Sequence, residues 1–429
     1  MLNKSDGQRV LCSHTQDVRG EMLGLPFQSL LTWISGRHHP DLPPETTRSP
    51  GFRLATAMTS TMVGVVSSAL GLCCLRGATS WVCTIGALGA LGVGWLLTVG
   101  GSRTLQVSIG HHLIHGRFSA NLSRDRQRLL YEVISTLLMI QDYQSYYSDH
   151  VVRHHADPAG RDDPDQLFLQ ELGFRPGTRY EDLRRLLWRT SFAPRFHWRF
   201  LRARIQANFV LPSRARRMAS WLWLAALVGA SVATEAGLFI AVTWLFPLTA
   251  LYQASALFQF LSEHAWFSAQ AEGLSPRAHL ARLTSGRFCC DPPPRASAST
   301  LRGGLAWARW WLRLGVIHVP ARIAILVGDL CDHDVHHACP RGDWANSRTE
   351  RLVHLRDRAD RWPLAEVWGL GAGLDRVLRH ISQLPPELRG NVHSPCGDAG
   401  RTRDPSASCT CEIARTAGRS QESGGCDRP

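Results

Sequence analysis

The sequence predicts an all-α integral membrane protein with four transmembrane helices in two hairpins and a helical cap on the cytoplasmic side. Three observations predict it. Two long stretches are almost free of formal charge, the arginines are segregated away from the hairpin tips, and three dense histidine clusters fall on the arginine-rich side. Averages conceal this segregation, since mean hydropathy is −0.12 and net charge is +13 over 429 residues.

Residues 1–50 read as a polar cytoplasmic N-terminal segment with one apolar patch, Leu23 to Ile34. It lacks the charged start, apolar centre and cleavage site of a signal peptide. Residues 51–385 read as one membrane domain. Its first span, 54–75, contains no formal charge and is long enough to cross about 30 Å of hydrocarbon. A second uncharged run covers 78–101, and only Arg76 lies between the two, which predicts a tight hairpin. Within it Gly86, Ala90 and Gly94 recur every four residues, a small-residue face that admits a close neighbouring helix. The second pair, 218–234 and 237–261, is interrupted only at Glu235-Ala236-Gly237. Buried helices of a soluble domain rarely come as two uncharged hairpins of this length.

Arginine sets the orientation. The hairpin tips hold one basic residue, Arg76, whereas the stretch from Arg103 to Arg217 and everything after Leu261 are crowded with arginine. The positive-inside rule then places both tips outside, and both termini and the central segment in the cytoplasm. Such a basic face suits anionic phospholipid headgroups. No nucleic-acid recognition module accompanies the arginines, so nucleic acid is not an expected partner.

The cap carries the chemistry. His111 and His115 lie in HHLIH, His150, His154 and His155 in HVVRHH, and His333, His336 and His337 in HDVHH. At helical spacing these side chains share faces, and eight imidazoles suffice for two metal ions with room left for oxygen or substrate. One cluster could arise by chance among 19 histidines; three could hardly do so. Imidazole accepts iron, zinc, copper or nickel, so histidine content does not choose the metal. His112 is surplus and is expected to face elsewhere. Box one reads as a cytoplasmic extension of the second span. Residues 129–147 include Glu132, Gln141, Asp142 and Gln144, too polar to span, and read as a half-buried helix that delivers His150.

Asp149, Asp157, Asp332 and Asp334 flank the box histidines and are candidates to accept the second imidazole N–H, the alternative being a solvated surface. Asp162, Asp163 and Asp165 read as turn residues. The segment Leu301 to Leu330, with Trp307, Trp310 and Trp311, reads as a headgroup-level helix leading into box three. Twelve cysteines contain no repeated CxxC pair, and no Rossmann glycine motif follows a strand. Electrons for a redox reaction would therefore come from a separate chain. Residues 386–429, rich in Gly, Ser, Arg, Asp and Pro and including Cys409 and Cys411, are expected to be a disordered tail.

The ordered set HxxxH, HxxxHH and HxxHH, over roughly residues 50–345, resembles the three-histidine-box membrane fatty-acid desaturase and hydroxylase family of bacterial type. That resemblance implies a non-haem di-iron centre, two iron ions cycling between Fe2+ and Fe3+, held by the eight box histidines. It implies an acyl lipid substrate, O2, and an electron-transfer protein, ferredoxin- or rubredoxin-like with its reductase, at the inner membrane of a bacterium. Several such proteins carry a further ligand histidine between boxes two and three; His264 in LSEHAW matches it, an ordinary interfacial histidine being the alternative. Desaturation leads by analogy. A hydroxylase or ketolase would differ only in returning oxygen to carbon, and the boxes do not separate these outcomes. In another class stands a histidine-rich membrane protein that binds or carries divalent metal without redox chemistry. A transporter would want polar ligands near the midplane, where the spans offer only Ser and Thr, with Glu235 at a tip.

Overall fold

A computed structural model describes residues 17–156, 159–160, 162–268, 273–357 and 364–386. The chain is mostly helical. Among the described residues, three helices are long and apolar enough to cross a membrane: Pro50–Arg76, Trp81–Ile114 and Gly237–Glu263. The helix containing the expected span 218–234, Arg214–Ala233, falls short of that criterion. Arg214, Arg216 and Arg217 occupy its first turn, which leaves an apolar stretch of about 24 Å at about 1.5 Å per residue.

The first two membrane-length helices start from serine caps: Ser49 accepts from the Phe52 amide and Ser80 from the Cys83 amide. They run in opposite directions in close contact. A methyl group on Gly64 would lie 2.4 Å from the Thr98 nitrogen, one on Gly94 2.4 Å from the Ser68 nitrogen, and one on Gly101 2.6 Å from the Ala57 oxygen. Ser60 and Ser67 donate across the seam to the Leu97 and Ala90 carbonyls, at 3.2 and 3.1 Å. The contact face runs through Ala87, Gly94 and Gly101, not through the expected Gly86-Ala90-Gly94 series; nothing lies within 4 Å of a methyl on Gly86. Seven residues are nearly two whole turns, so a long seam follows that spacing, whereas steps of four drift around the helix.

The second of these helices continues through a π-helical stretch, Thr104–Gly110, into His111–Ile114, so box one does extend the span. The helix expected over 129–147 is broken. Arg124–Leu137 ends, Met139 takes φ +54°, and Asp142 caps a new helix by accepting from the Gln144 and Ser145 amides. That helix runs Tyr143–Tyr146 and then, in π form, Tyr147–His154, carrying box two. Glu235 at φ +52° separates Arg214–Ala233 from Gly237–Glu263.

A small parallel pair of strands, Ser285–Phe288 with Ala365–Trp368, corrects the all-helical expectation. Four residues reading SGRF show no period-two alternation, so nothing local announces the strand. The N-terminal segment is also more than a polar leader. Its apolar patch forms the helix Gln28–Ser35, whose Leu31 and Ile34 pack with Phe288, Trp310 and Leu314. Asp157, Cys409 and Cys411, and the expected tail from residue 387 onward, lie outside the described residues.

Candidate metal centre

Three separate helical pieces bring the boxes to one place. His111 directly follows the π stretch Thr104–Gly110, His150 and His154 project from the π turns of Tyr147–His154, and box three forms the short helix His333–Ala338. Insertion of a π turn rotates the residues after it relative to those before, and such turns are frequent at functional sites. His111 Nε2 lies 2.9 Å from His336 Nε2, His150 Nε2 lies 3.2 Å from His155 Nε2, and His333 Nε2 lies 2.9 Å from His337 Nε2.

The rings divide into two adjoining groups. His111, His115, His150, His155 and His336 form one, with His115 4.8, 5.5, 5.0 and 5.0 Å by ring centroid from the other four in that order. His154, His264, His333 and His337 form the other, in which His264 stands 5.3, 5.8 and 5.2 Å from the rest in that order. All eight box histidines are thus brought together, and His264 joins them from the end of Gly237–Glu263. His112 does not turn away: its ring stacks on Trp344 at 4.5 Å and its Nε2 meets Asp329 Oδ2 at 2.8 Å, beside His111 and His336.

The acids that orient the rings are not the flanking ones. Asp149 accepts from Gln141 and Arg153, Asp332 from Ser347, and Asp334 from Arg351. Neighbours in sequence point about 100° apart on a helix, so an adjacent acid faces away from its histidine. The partners come from elsewhere: Asp163 to His154 Nδ1 at 2.9 Å and Thr284 Oγ1 to His264 Nδ1 at 2.8 Å, whereas Glu263 Oε1 lies 2.9 Å from His333 Nε2, the nitrogen that also faces His337. Asp163, read from sequence as a turn residue, is fully buried and caps the helix Pro164–Glu171 as well. Its burial carried no sequence signal. Glu263 was legible only by its place next to His264.

These residues fit a metal. His115 Nε2 and His337 Nδ1 are buried without a hydrogen-bond partner. Facing imidazole nitrogens about 3 Å apart match two ligands set at a right angle about 2.1 Å from one ion. Hydrogen bonds at Nδ1 of His154 and His264 leave each Nε2 free to ligate. Burial, with the neighbouring imidazoles adding to it, holds His150, His155, His264, His336 and His337 well below the usual imidazole value and His115 at about 3. Neutral imidazole is the ligating form. His154 differs: burial opposes its charge, but the hydrogen bond and charge of Asp163 raise it to about 9. Burial, with Asp163 beside it, pushes the Asp165 carboxyl up to about 7 against the opposing pull of His154.

A cavity of about 530 Å3 opens beside this centre. His111, His150, His154, His264 and His333 form one wall. Val107, Ile140, Phe168, Phe200, Leu257 and Phe260 supply apolar surface, interleaved with Tyr146, Tyr252, several glutamines and three arginines.

A helical protein with membrane-length apolar helices and nine imidazoles gathered over a cavity belongs to the class of membrane proteins with a polyhistidine, metal-competent centre. Residues 85–364 match the model of the fatty acid desaturase family, and the chain belongs to that family. Membership makes it a membrane protein with oxidoreductase activity of the fatty acid desaturase and hydroxylase type. No curated protein matches the chain. No solved structure matches it either.

Proposed function

We propose that this chain is an O2-dependent fatty-acyl desaturase that holds two iron ions and draws its electrons from a separate ferredoxin- or rubredoxin-like protein with its reductase. The observation that carries the reading is the convergence of all three boxes and His264 on one wall of a substrate-sized cavity. One ion is held by the His111, His115, His150, His155 and His336 group, the other by His154, His264, His333 and His337. The bound pair supplies reductive activation of O2 and removal of hydrogen from an unactivated acyl C–H bond. The chain's own side chains do the rest. Phe168, Phe200, Leu257 and Phe260 exclude water from the acyl chain. Asp165, lining the cavity 3.7 Å from His154 Nδ1, holds a proton on its carboxyl near neutral pH and can release it there.

The same convergence supports four spans in two hairpins under a cytoplasmic cap. Box two precedes Arg214–Ala233 and box three follows Gly237–Glu263. If only the latter crossed, the boxes would stand on opposite faces, so the shorter helix must cross too. Its exposed Met218, Trp221, Leu222, Val228 and Val232 suit lipid. Arginine on the cap side supports a cytoplasmic setting for that side and for both termini, at the inner membrane of a bacterium.

The test is co-expression in a bacterial host with a ferredoxin and its reductase, followed by mass spectrometry of the lipids against a His336→Ala control. New double bonds in the wild type alone, with about two irons per purified chain, are expected. A gain of one oxygen would transfer the assignment to hydroxylation. A chain that takes up zinc or manganese in preference to iron, and leaves lipids unchanged, would overturn the redox reading.

A further inference from the structure

Arg103 is a buried cation with unused hydrogen-bond donors. It sits near the inner end of the membrane-length helix Trp81–Ile114, is fully buried, and lines the cavity. Its Nη2 donates to Gln259 Oε1 at 2.5 Å, yet Nε and Nη1 are buried without any hydrogen-bond partner, and among the described residues no carboxylate lies within 4.0 Å. A second guanidinium, Arg204, half-buried on the helix Pro194–Ile205, also lines the cavity. Both stand against one ring: Arg103 Cζ is 5.2 Å and Arg204 Cζ 4.9 Å from the centroid of Tyr252, whose hydroxyl bonds Gln106.

The acids of the cavity do not neutralise this pair. Glu263 is taken by His333 at 2.9 Å and Gln259 at 2.7 Å, Asp149 by Gln141 and Arg153, and Asp165 lies against His154. The third arginine on the cavity wall, Arg199, is paired with Glu171. Among the described residues Arg204 Nη1 donates only to the Leu138 carbonyl, at 3.3 Å, so two like charges, Arg103 with two buried donors unused, are left facing one cavity inside a helical bundle. A buried cation lacking a counter-charge is expensive, and within a membrane protein it marks a functional site.

We infer that the substrate bears an anionic group, carboxylate or phosphate, that is drawn inside the cavity and held between Arg103 and Arg204 over the Tyr252 ring. This rests on the desaturase reading of the cavity and adds the substrate's charge and direction to it. Arg103 precedes His111 by eight residues across the π-helical stretch Thr104–Gly110, at most about 12 Å at the α-helical rise of about 1.5 Å per residue. The oxidised carbon consequently lies within that reach of the anionic end, and a neutral ester or an acyl chain without a headgroup charge is a poor ligand. The mouth lies along the arginine-rich stretch around Arg199, Arg204 and Leu211, where a headgroup would enter.

The experiment measures binding of radiolabelled palmitate to the purified full chain in micelles, with methyl palmitate, hexadecyl phosphate and inorganic phosphate as competitors. Palmitate or hexadecyl phosphate should bind about ten-fold or more tighter than methyl palmitate, as lost charge-assisted hydrogen bonds require. The tighter of the two identifies the anion as carboxylate or phosphate. In Arg103→Met and in Arg204→Gln that ratio should fall toward one, with Arg103→Lys restoring part of it. Arg204→Gln, at a half-buried position, guards against a folding failure at Arg103. Binding of palmitate and of hexadecyl phosphate by the wild type no tighter than that of methyl palmitate overturns the inference. A ratio that persists in both variants, or inorganic phosphate competing as well as hexadecyl phosphate, also overturns it. Metal content of the same samples keeps the two readings apart: anion preference in a chain that takes up no iron removes the desaturase and leaves the anchor, whereas iron without preference does the reverse.

Discussion

Replacing Asp163 by asparagine should change metal binding in a way that depends on pH. Asp163 is fully buried and meets His154 Nδ1 at 2.9 Å, the Ala159 amide at 2.8 Å and the Asp165 amide at 2.9 Å. Its charge does two opposing things. It raises the donor strength of His154, and loss of such a partner costs about 10- to 100-fold in metal affinity. It also holds a proton on His154 up to about pH 9, which a metal must displace. At pH 7 that competition weakens wild-type binding by about 100-fold, and at pH 9 by only about two-fold. In Asp163→Asn only Asp165 and Glu263 remain to oppose the burial of His154, so most of the competition goes with the partner. Wild type should therefore bind about as well as, or somewhat less well than, the variant at pH 7. At pH 9 it should bind about 5- to 50-fold better. Titration with zinc(II) against a competing chelator at both pH values measures this, with circular dichroism to check that the variant is folded. One wild-type-to-variant ratio at both pH values would refute the assignment of Asp163 as the partner that sets His154.

Other outcomes follow from the packing. Arg351 and Asp334 are both fully buried, with two bonds of 2.6 Å, and Asp334 lies inside box three. Arg351→Met should cost about 3–5 kcal/mol in denaturant unfolding, and adding Asp334→Leu should recover much of it, because most of the loss is the stranded charge. Gly94→Val puts side-chain atoms against the Ser68 backbone and should abolish folding in a detergent gel-filtration assay, whereas Gly86→Val, facing open space, should not. His264→Ala should lower iron from about two per chain to about one by elemental analysis, and His112→Ala, whose Nε2 is committed to Asp329, should retain both.

Much of the site was legible because its signal is local. Box histidines sit three to five residues apart, and one helical turn suffices to align them. What the rings hydrogen-bond to was not legible, for the same reason in reverse. The acids next to them, Asp149, Asp332 and Asp334, are carried by the helix geometry to other partners, while Asp163 reaches His154 only because the chain after box two folds back. His264 could be singled out but not placed, since its Nδ1 is held by Thr284, 20 residues further along the chain and past another helix. The short strands were invisible because each is stabilised by a partner about 80 residues away, with no alternation of its own.

If the helix Arg214–Ala233 crosses the membrane as proposed, a length rule applied to one segment breaks down there. Taken alone it is too short and starts with three arginines. In the fold the middle one, Arg216, is buried and donates to the Glu132 carbonyl at 2.9 Å, the Ile140 carbonyl at 3.2 Å and Asn208 Oδ1 at 2.8 Å. Its charge is thus taken up by the broken helix that precedes box two, and the first turn need not face hydrocarbon. Lipid has to match only the remaining apolar length, which thinning of the bilayer or snorkelling of Arg214 and Arg217 accommodates at modest cost. The contacts that tie Arg216 to Glu132 and Ile140 also pin the segment that delivers His150. On the four-span proposal a weak span and the metal centre are accordingly parts of one arrangement: the arginine that lowers the hydropathy of Arg214–Ala233 is the residue that anchors it to the segment before box two.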